Sequence, residues 1–204
     1  LTEELLDSSD KSPAPQVKQL EKALDLVRRG VDESQQKLKT MQQISSQETG
    51  AREILNLSVH LGEIPKMIER QRSSESADVS VTVSDDLWAD VELAEINQAI
   101  FLVLTNAYDF SEGNLLVYIR ASVADGQIKI AIEDNGPGIS ETERDKVFDP
   151  FYTTRQSSDP TKQMGLGLFL VQNIMQNHGG HAEVWSAKPF IMGLTLPVAD
   201  TGLD

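Results

Sequence analysis

Cysteine is absent from all 204 residues, which excludes a disulfide framework and any thiolate metal centre and leaves a reducing compartment open. Positive charge is scarce: 18 Lys and Arg stand against 32 Asp and Glu, for a formal net charge of −14. Phosphate backbones and anionic membranes bind basic surfaces, so neither is the expected main partner, and any phosphate site has to be local. Long apolar runs are missing as well. None reaches the roughly 18–20 residues that a membrane span requires, and the start Leu-Thr-Glu-Glu has nothing of the basic beginning of a signal peptide. The chain opens on Leu1 rather than Met, which reads as a soluble piece of a longer protein. What is present is ordinary for a globular chain: 39 % hydrophobic and 25 % charged residues, in a length that suits one compact domain of roughly 130–150 residues plus a helical appendage.

A polar, proline-bearing connection, Ser8 to Pro15, precedes a stripe in which Val17, Leu20, Leu24, Val27, Val31, Leu38, Met41 and Ile44 recur mostly at three- and four-residue steps. This predicts a long helix from Val17 to about Ser46, polar on its other faces and suited to a partner along one seam, as in a helical hairpin. Gly30 interrupts the seam, and packing on its own domain is the alternative. From Ile54 to Arg72, Leu55, Leu57, Val59 and Leu61 alternate before Ile64, Met67 and Ile68, which predicts a strand passing into a helix with Pro65 in its first turn. Ser73 to Ala77 reads as a loop, Val79 to Val83 as a half-buried strand, and Val91 to Phe110 as a helix burying Leu93, Ile96, Ile100, Leu104 and Ala107. Asp125-Gly126 joins strands at Leu115–Ile119 and Ile128–Ile132 into a hairpin. A helix over Gly167–Asn177 and strands around Ala182–Ser186 and Met192–Pro197 follow. The expected architecture is a two-layer α/β sandwich, with residues 1–48 as a partial hairpin and 51–204 as the domain.

Three stretches carry chemistry. Asn106 lies near the end of an apolar-faced helix, where its amide oxygen can ligate a hard cation. Asp134-Asn135-Gly136-Pro137-Gly138-Ile139 follows a strand directly, so a carboxylate at the strand end, with glycines that let the backbone approach a flat ligand, can read a base amino group. Gly165-Leu166-Gly167-Leu168 presents backbone N–H groups as a helix begins, an arrangement that favours phosphate.

In this order the stretches resemble the nucleotide-binding fold shared by gyrase, Hsp90, histidine kinases and MutL. Phe148-Asp149-Pro150-Phe151 followed by Tyr152-Thr153-Thr154-Arg155 is similar to the aromatic box before the ATP lid of sensor histidine kinases in particular. His178-Gly179-Gly180, Ser186 and Leu194-Thr195-Leu196-Pro197 resemble that family's closing strands. The likeness covers roughly Ala51 to Asp200, and the Val17–Ser46 helix resembles part of the dimerisation hairpin. The resemblance implies a Bergerat-type fold that binds ATP with magnesium. Asp134 would meet the adenine amino group, with Gly136, Gly138 and Ile139 shaping its pocket. Asn106 would hold magnesium, with Tyr108 and Asp109 beside it. Gly165, Leu166, Gly167 and Leu168 would cradle the phosphates, and Thr153, Thr154 and Arg155 would approach them. Gln156 to Met164 would form a lid that excludes water.

Two positions depart from the family pattern. Leu102 stands where histidine kinases usually show a second Asn and the ATP-hydrolysing relatives a Glu, which argues against a gyrase-like or Hsp90-like ATPase and weakens the expected magnesium coordination. Gln163 stands where a third glycine is usual, so the phosphate loop has less freedom. The leading expectation is a cytoplasmic sensor-kinase core that passes the γ-phosphoryl group of ATP to a histidine outside this segment and thence to a response regulator receiver domain, acting as a homodimer through its N-terminal helix. The alternatives are a nucleotide-binding regulator with little turnover, favoured by Leu102, and an anti-sigma serine kinase, disfavoured by the Val17–Ser46 stripe. The three histidines are not placed as phosphoacceptors: His60 falls in an apolar stretch, and His178 and His181 read as turn residues.

Overall fold

The computed structural model describes residues 50–71, 77–84, 86–111, 113–154 and 165–201, all within one compact unit, Glu48–Asp204. The Val17–Ser46 stripe, Arg155 and the stretch 156–164 lie outside the described residues. In chain order the elements are β1 (Glu53–Asn56), α1 (Leu57–Gln71), β2 (Ala77–Val83), β3 (Trp88–Val91), α2 (Leu93–Phe110), β4 (Leu115–Ala124), β5 (Gln127–Asp134), α3 (Gly167–Asn177), β6 (His181–Ala187) and β7 (Phe190–Pro197). Two single 3₁₀ turns, Glu141–Glu143 and Lys146–Phe148, follow β5.

Five strands form one sheet in the order β2-β4-β5-β7-β6, while β1 and β3 pair separately. Within the large sheet β2 runs parallel to β4 and the remaining neighbours are antiparallel. The β4–β5 turn forms at Asp125-Gly126 because both residues take positive φ, 55° and 73°, the twist that a two-residue hairpin needs. Alternation then decides the core. Ile128, Ile130 and Ile132 of β5 share a face with Met192, Leu194 and Leu196 of β7 and with Val117 and Ile119 of β4, and all are buried. Against that face lie Ile96, Ala99, Ile100, Val103 and Ala107 of α2, and Val171, Ile174 and Met175 of α3. The other face carries polar residues, among them the Arg120–Glu133 ion pair at 2.6 Å. The result is the expected two-layer α/β sandwich.

The helix ends are tied by a histidine. His178, at the end of α3, has its side chain buried; Nδ1 donates to the Ile174 carbonyl at 2.8 Å and Nε2 accepts the Glu92 N–H at 3.1 Å. The side chain joins the C-terminus of α3 to the start of α2.

Three expectations are corrected. Pro65 lies in the interior of α1 rather than in its first turn. The helix starts earlier because Leu57, Leu61 and Ile64 bury one helical face and the Asn56 side chain accepts the Ser58 N–H at 3.0 Å, an N-terminal cap that offsets part of the bond Pro65 cannot make. Val91 belongs to a short strand, β3, whose partner β1 fixes it as extended; α2 begins at Leu93. His178 lies in a turn as expected, with its side chain buried, whereas His181 opens β6 instead of lying in a turn.

Candidate functional site

Asp134 is the last residue of β5, on the face that Ile128, Ile130 and Ile132 turn to the helices, and it is 7 % exposed. Burial raises its pKa above the ordinary 3.8; the Gly136 N–H opposes this rise, and the neighbouring Glu133 charge adds to it. Its Oδ1 accepts the Gly136 N–H at 2.8 Å. A Cβ at position 136 would lie 2.6 Å from that oxygen, so a side chain there would push the carboxylate out of this position. Oδ2 has no partner among the described residues. An acceptor oxygen set among apolar side chains can take an amino hydrogen from a flat heterocycle.

The loop beyond Asp134 is anchored on both sides. Asn135 extends the β4–β5 ladder: its Oδ1 accepts the Leu116 N–H at 2.9 Å and its Nδ2 donates to the Asn114 carbonyl at 3.0 Å. Gly138 has φ of 74°, and a Cβ there would lie 2.5 Å from the Ala187 carbonyl oxygen, which accepts the Ile139 N–H at 3.0 Å. Ile139 is partly buried against the core.

A second cluster forms where α2 and α3 meet. The Cβ position at Gly167 is 3.7 Å from both Oδ1 and Nδ2 of Asn106, so the candidate cation ligand sits beside the first residue of the candidate phosphate helix. Leu166, the residue at the cap position, makes no side-chain cap bond, and a helix start is a place where backbone N–H groups can meet an anion. Leu166 is buried, and Leu168 is partly buried against the core. Tyr108 and Asp109 follow Asn106 in the last turn of α2, with Tyr108 partly buried against the core. Among the described residues no three His, Asp or Glu side chains gather into a metal site. The Asn106 amide oxygen could serve as one ligand of a hard cation.

Gly165 lies at the mouth of this cluster with φ of 60°. A Cβ there would come within 2.4 Å of the Tyr152 carbonyl oxygen, and the Gly165 carbonyl accepts the Phe151 N–H at 2.9 Å. Phe151 itself has φ of 68°, which costs a non-glycine residue roughly 1–2 kcal/mol and is the kind of strain found at functional sites. Thr153 and Thr154 are exposed beyond it. Sequence reasoning singled out Tyr152 only within the stretch after the aromatic residues and missed its partners Glu143 and Ser140. Their signal was legible as a Ser-x-x-Glu capping box, which the Ser140 and Glu143 side chains form.

The family model for histidine kinase-, DNA gyrase B- and HSP90-like ATPases matches residues 92–200. The sensor histidine kinase ZraS of Escherichia coli is 26 % identical over 159 residues, 76 % of this chain and 33 % of that protein. The sensor protein ChvG of Agrobacterium fabrum is 32 % identical over 151 residues, 66 % of this chain and 25 % of that one. Among solved structures, the mycobacterial sensor histidine kinase MprB superposes with a TM-score of 0.59 at 27 % identity, over 72 % of this chain and 97 % of that structure. The chain thus spans a third or less of the length of these two curated relatives.

Proposed function

Because the chain belongs to the family of histidine kinase-, DNA gyrase B- and HSP90-like ATPases, we propose that it binds Mg-ATP as the catalytic domain of a two-component sensor histidine kinase. The adenine amino group donates to Asp134, with Gly136, Gly138 and Ile139 around the ring. The phosphates lie at the start of α3, over Gly165, Leu166, Gly167 and Leu168, with Thr153, Thr154 and Arg155 approaching them and Tyr108 and Asp109 at the edge. Asn106 contributes an oxygen to magnesium, whose chemistry when bound is to neutralise phosphate charge.

The observation that carries this reading is the placement of Asn106 beside Gly167, the first residue of α3, on the helix-covered face of the sheet where Asp134 closes β5. Phosphoryl transfer requires mainly positioning and charge neutralisation, and these parts offer both. A histidine nitrogen outside this segment attacks the γ-phosphorus as ADP leaves, and a receiver-domain aspartate of a response regulator then accepts the group. Self-association through the Val17–Ser46 helix would bring two such domains together. The names of ZraS and MprB as sensor histidine kinases support the kinase reading. Leu102, which suggested a low-turnover regulator, packs partly buried against the core, so packing accounts for its aliphatic side chain.

Titration of the 204-residue chain with a fluorescent ATP analogue tests the proposal. Saturable binding that ATP and ADP reverse and GTP does not is expected. Absence of binding, or equal displacement by GTP, would refute it.

A further inference from the structure

One carboxylate lies between the two halves of the site. Glu143 Oε2 accepts both the Ser140 N–H at 2.9 Å and the Ser140 hydroxyl at 2.5 Å, while Oε1 accepts the Tyr152 hydroxyl at 3.0 Å. Ser140 continues the loop whose Gly138 and Ile139 rest on the Ala187 carbonyl. Tyr152 lies on the other side. Its carbonyl oxygen occupies the space a Cβ at Gly165 would need, and its neighbour Phe151 donates to the Gly165 carbonyl. Gly165 leads directly into Leu166, the residue that precedes the first turn of α3.

The turn that carries Glu143 is itself fixed. Arg144 donates through Nη2 to the Val184 carbonyl and, at 3.1 Å, to the Trp185 carbonyl, at the point where β6 slips in register against β7. Arg144 Nη1 also holds Glu141 at 3.2 Å. The carboxylate is therefore presented from an anchored backbone. The Ser140 hydroxyl and amide, with the Tyr152 phenol, keep the Glu143 carboxyl below its usual pKa; desolvation and the adjacent carboxylate push the Tyr152 phenol up. At neutral pH the pair is a carboxylate receiving an O–H.

We propose that Glu143 and Tyr152 are positioning residues for the nucleotide's phosphates, a carboxylate–phenol tie that holds Gly165 and the start of α3 in place relative to the loop after Asp134. The inference rests on the nucleotide-binding reading above. Asp134 and Gly136 are set by β5 and their own hydrogen bond, so breaking the tie leaves the base end intact and misplaces the phosphate end. The signature is a loss of affinity for Mg-ATP without a matching loss for adenosine, which a general loss of structure would not produce.

Isothermal titration of the full chain with Mg-ATP and with adenosine, for wild type, Tyr152→Phe, Glu143→Ala and the double variant, tests it. Tyr152→Phe is expected to weaken Mg-ATP roughly two- to tenfold, the range for one lost side-chain hydrogen bond, and Glu143→Ala at least as much, since it also releases Ser140. Adenosine affinity is expected to stay unchanged and the double variant to be no weaker than Glu143→Ala alone, because Glu143→Ala already removes the bond to Tyr152 along with both Ser140 bonds. Unchanged Mg-ATP affinity, equal weakening of both ligands, or multiplying effects in the double variant would overturn the proposal. If one variant does not fold, the ratio of Mg-ATP to adenosine affinity in the other decides. A wild-type chain that binds neither ligand would instead contradict the nucleotide-binding reading itself.

Discussion

Replacing Asp134 by Asn separates what the residue does for the fold from what it does for a ligand. The shape is kept, and the Asn Oδ1 can still accept the Gly136 N–H now held at 2.8 Å. The ionised acceptor is lost, which costs a charge-assisted hydrogen bond to the adenine amino group about 1.5–3 kcal/mol, or roughly 10- to 150-fold in affinity. The apo fold should respond differently. Burial raises the folded pKa of Asp134 above 3.8, so the folded state holds the proton more tightly than the unfolded chain. The group's contribution to stability is then greatest below the unfolded pKa and declines as pH rises from there through the raised folded value. At pH 7 the charged carboxylate opposes folding, and Asp134→Asn should leave the melting temperature unchanged or raise it. In the wild type, by the same shift, ATP affinity should fall as pH drops through the raised pKa and the acceptor is protonated. Calorimetric titration at pH 7, thermal melting across pH 4–8 and circular dichroism to verify folding form the assay. A folded variant with wild-type ATP affinity would refute the adenine assignment. A melting temperature well below wild type at pH 7 would refute the reasoning about burial.

Gly165→Ala should weaken Mg-ATP binding and lower the melting temperature, because it forces a Cβ within 2.4 Å of the Tyr152 carbonyl at φ of 60°, a strain of roughly 1–3 kcal/mol; differential scanning calorimetry with titration checks both. His178→Ala should cost roughly 1–3 kcal/mol by leaving the Glu92 N–H without its partner, while the Ile174 carbonyl keeps the backbone N–H of residue 178. Its ATP affinity should survive in the cold, since His178 lies at the opposite end of α3 from Gly167; urea titration and ligand binding at low temperature measure the two. The chain alone should gain no acid-labile label from radiolabelled Mg-ATP. Its three histidines are His60 within α1, His178 buried and doubly bonded, and His181 held by the Thr195 hydroxyl at 2.7 Å. Label that appears and vanishes in His60→Gln would contradict this.

The elements with strong local signals were legible. Gly167 and Asn177 bound α3 as expected because a glycine pair opens it and His178-Gly179 closes it, and β5 delivers Asp134 to the core side because strict alternation leaves no second register. The start of α1 was not legible, since Leu55, Leu57, Val59 and Leu61 fit a period of two while Leu57, Leu61 and Ile64 fit a helix equally well. Packing against the core decided it. β3 was missed because four residues, two of them Ala89 and Asp90, carry too little pattern without the partner β1. In the site, local motifs revealed Asp134, Gly136, Gly138 and the Gly165–Leu168 stretch as candidates. The placement of Asn106 beside Gly167 and the reach of Glu143 to Tyr152 depend on how helices and turns pack, and no local pattern encodes them.

The claim that Asn106 and the start of α3 hold Mg-ATP together is tested most directly by measuring ATP affinity with and without magnesium in wild type and Asn106→Ala. The account predicts that magnesium strengthens ATP binding in the wild type and loses most of that effect in the variant, while adenosine binds both equally. A magnesium effect of the same size in both proteins would contradict it.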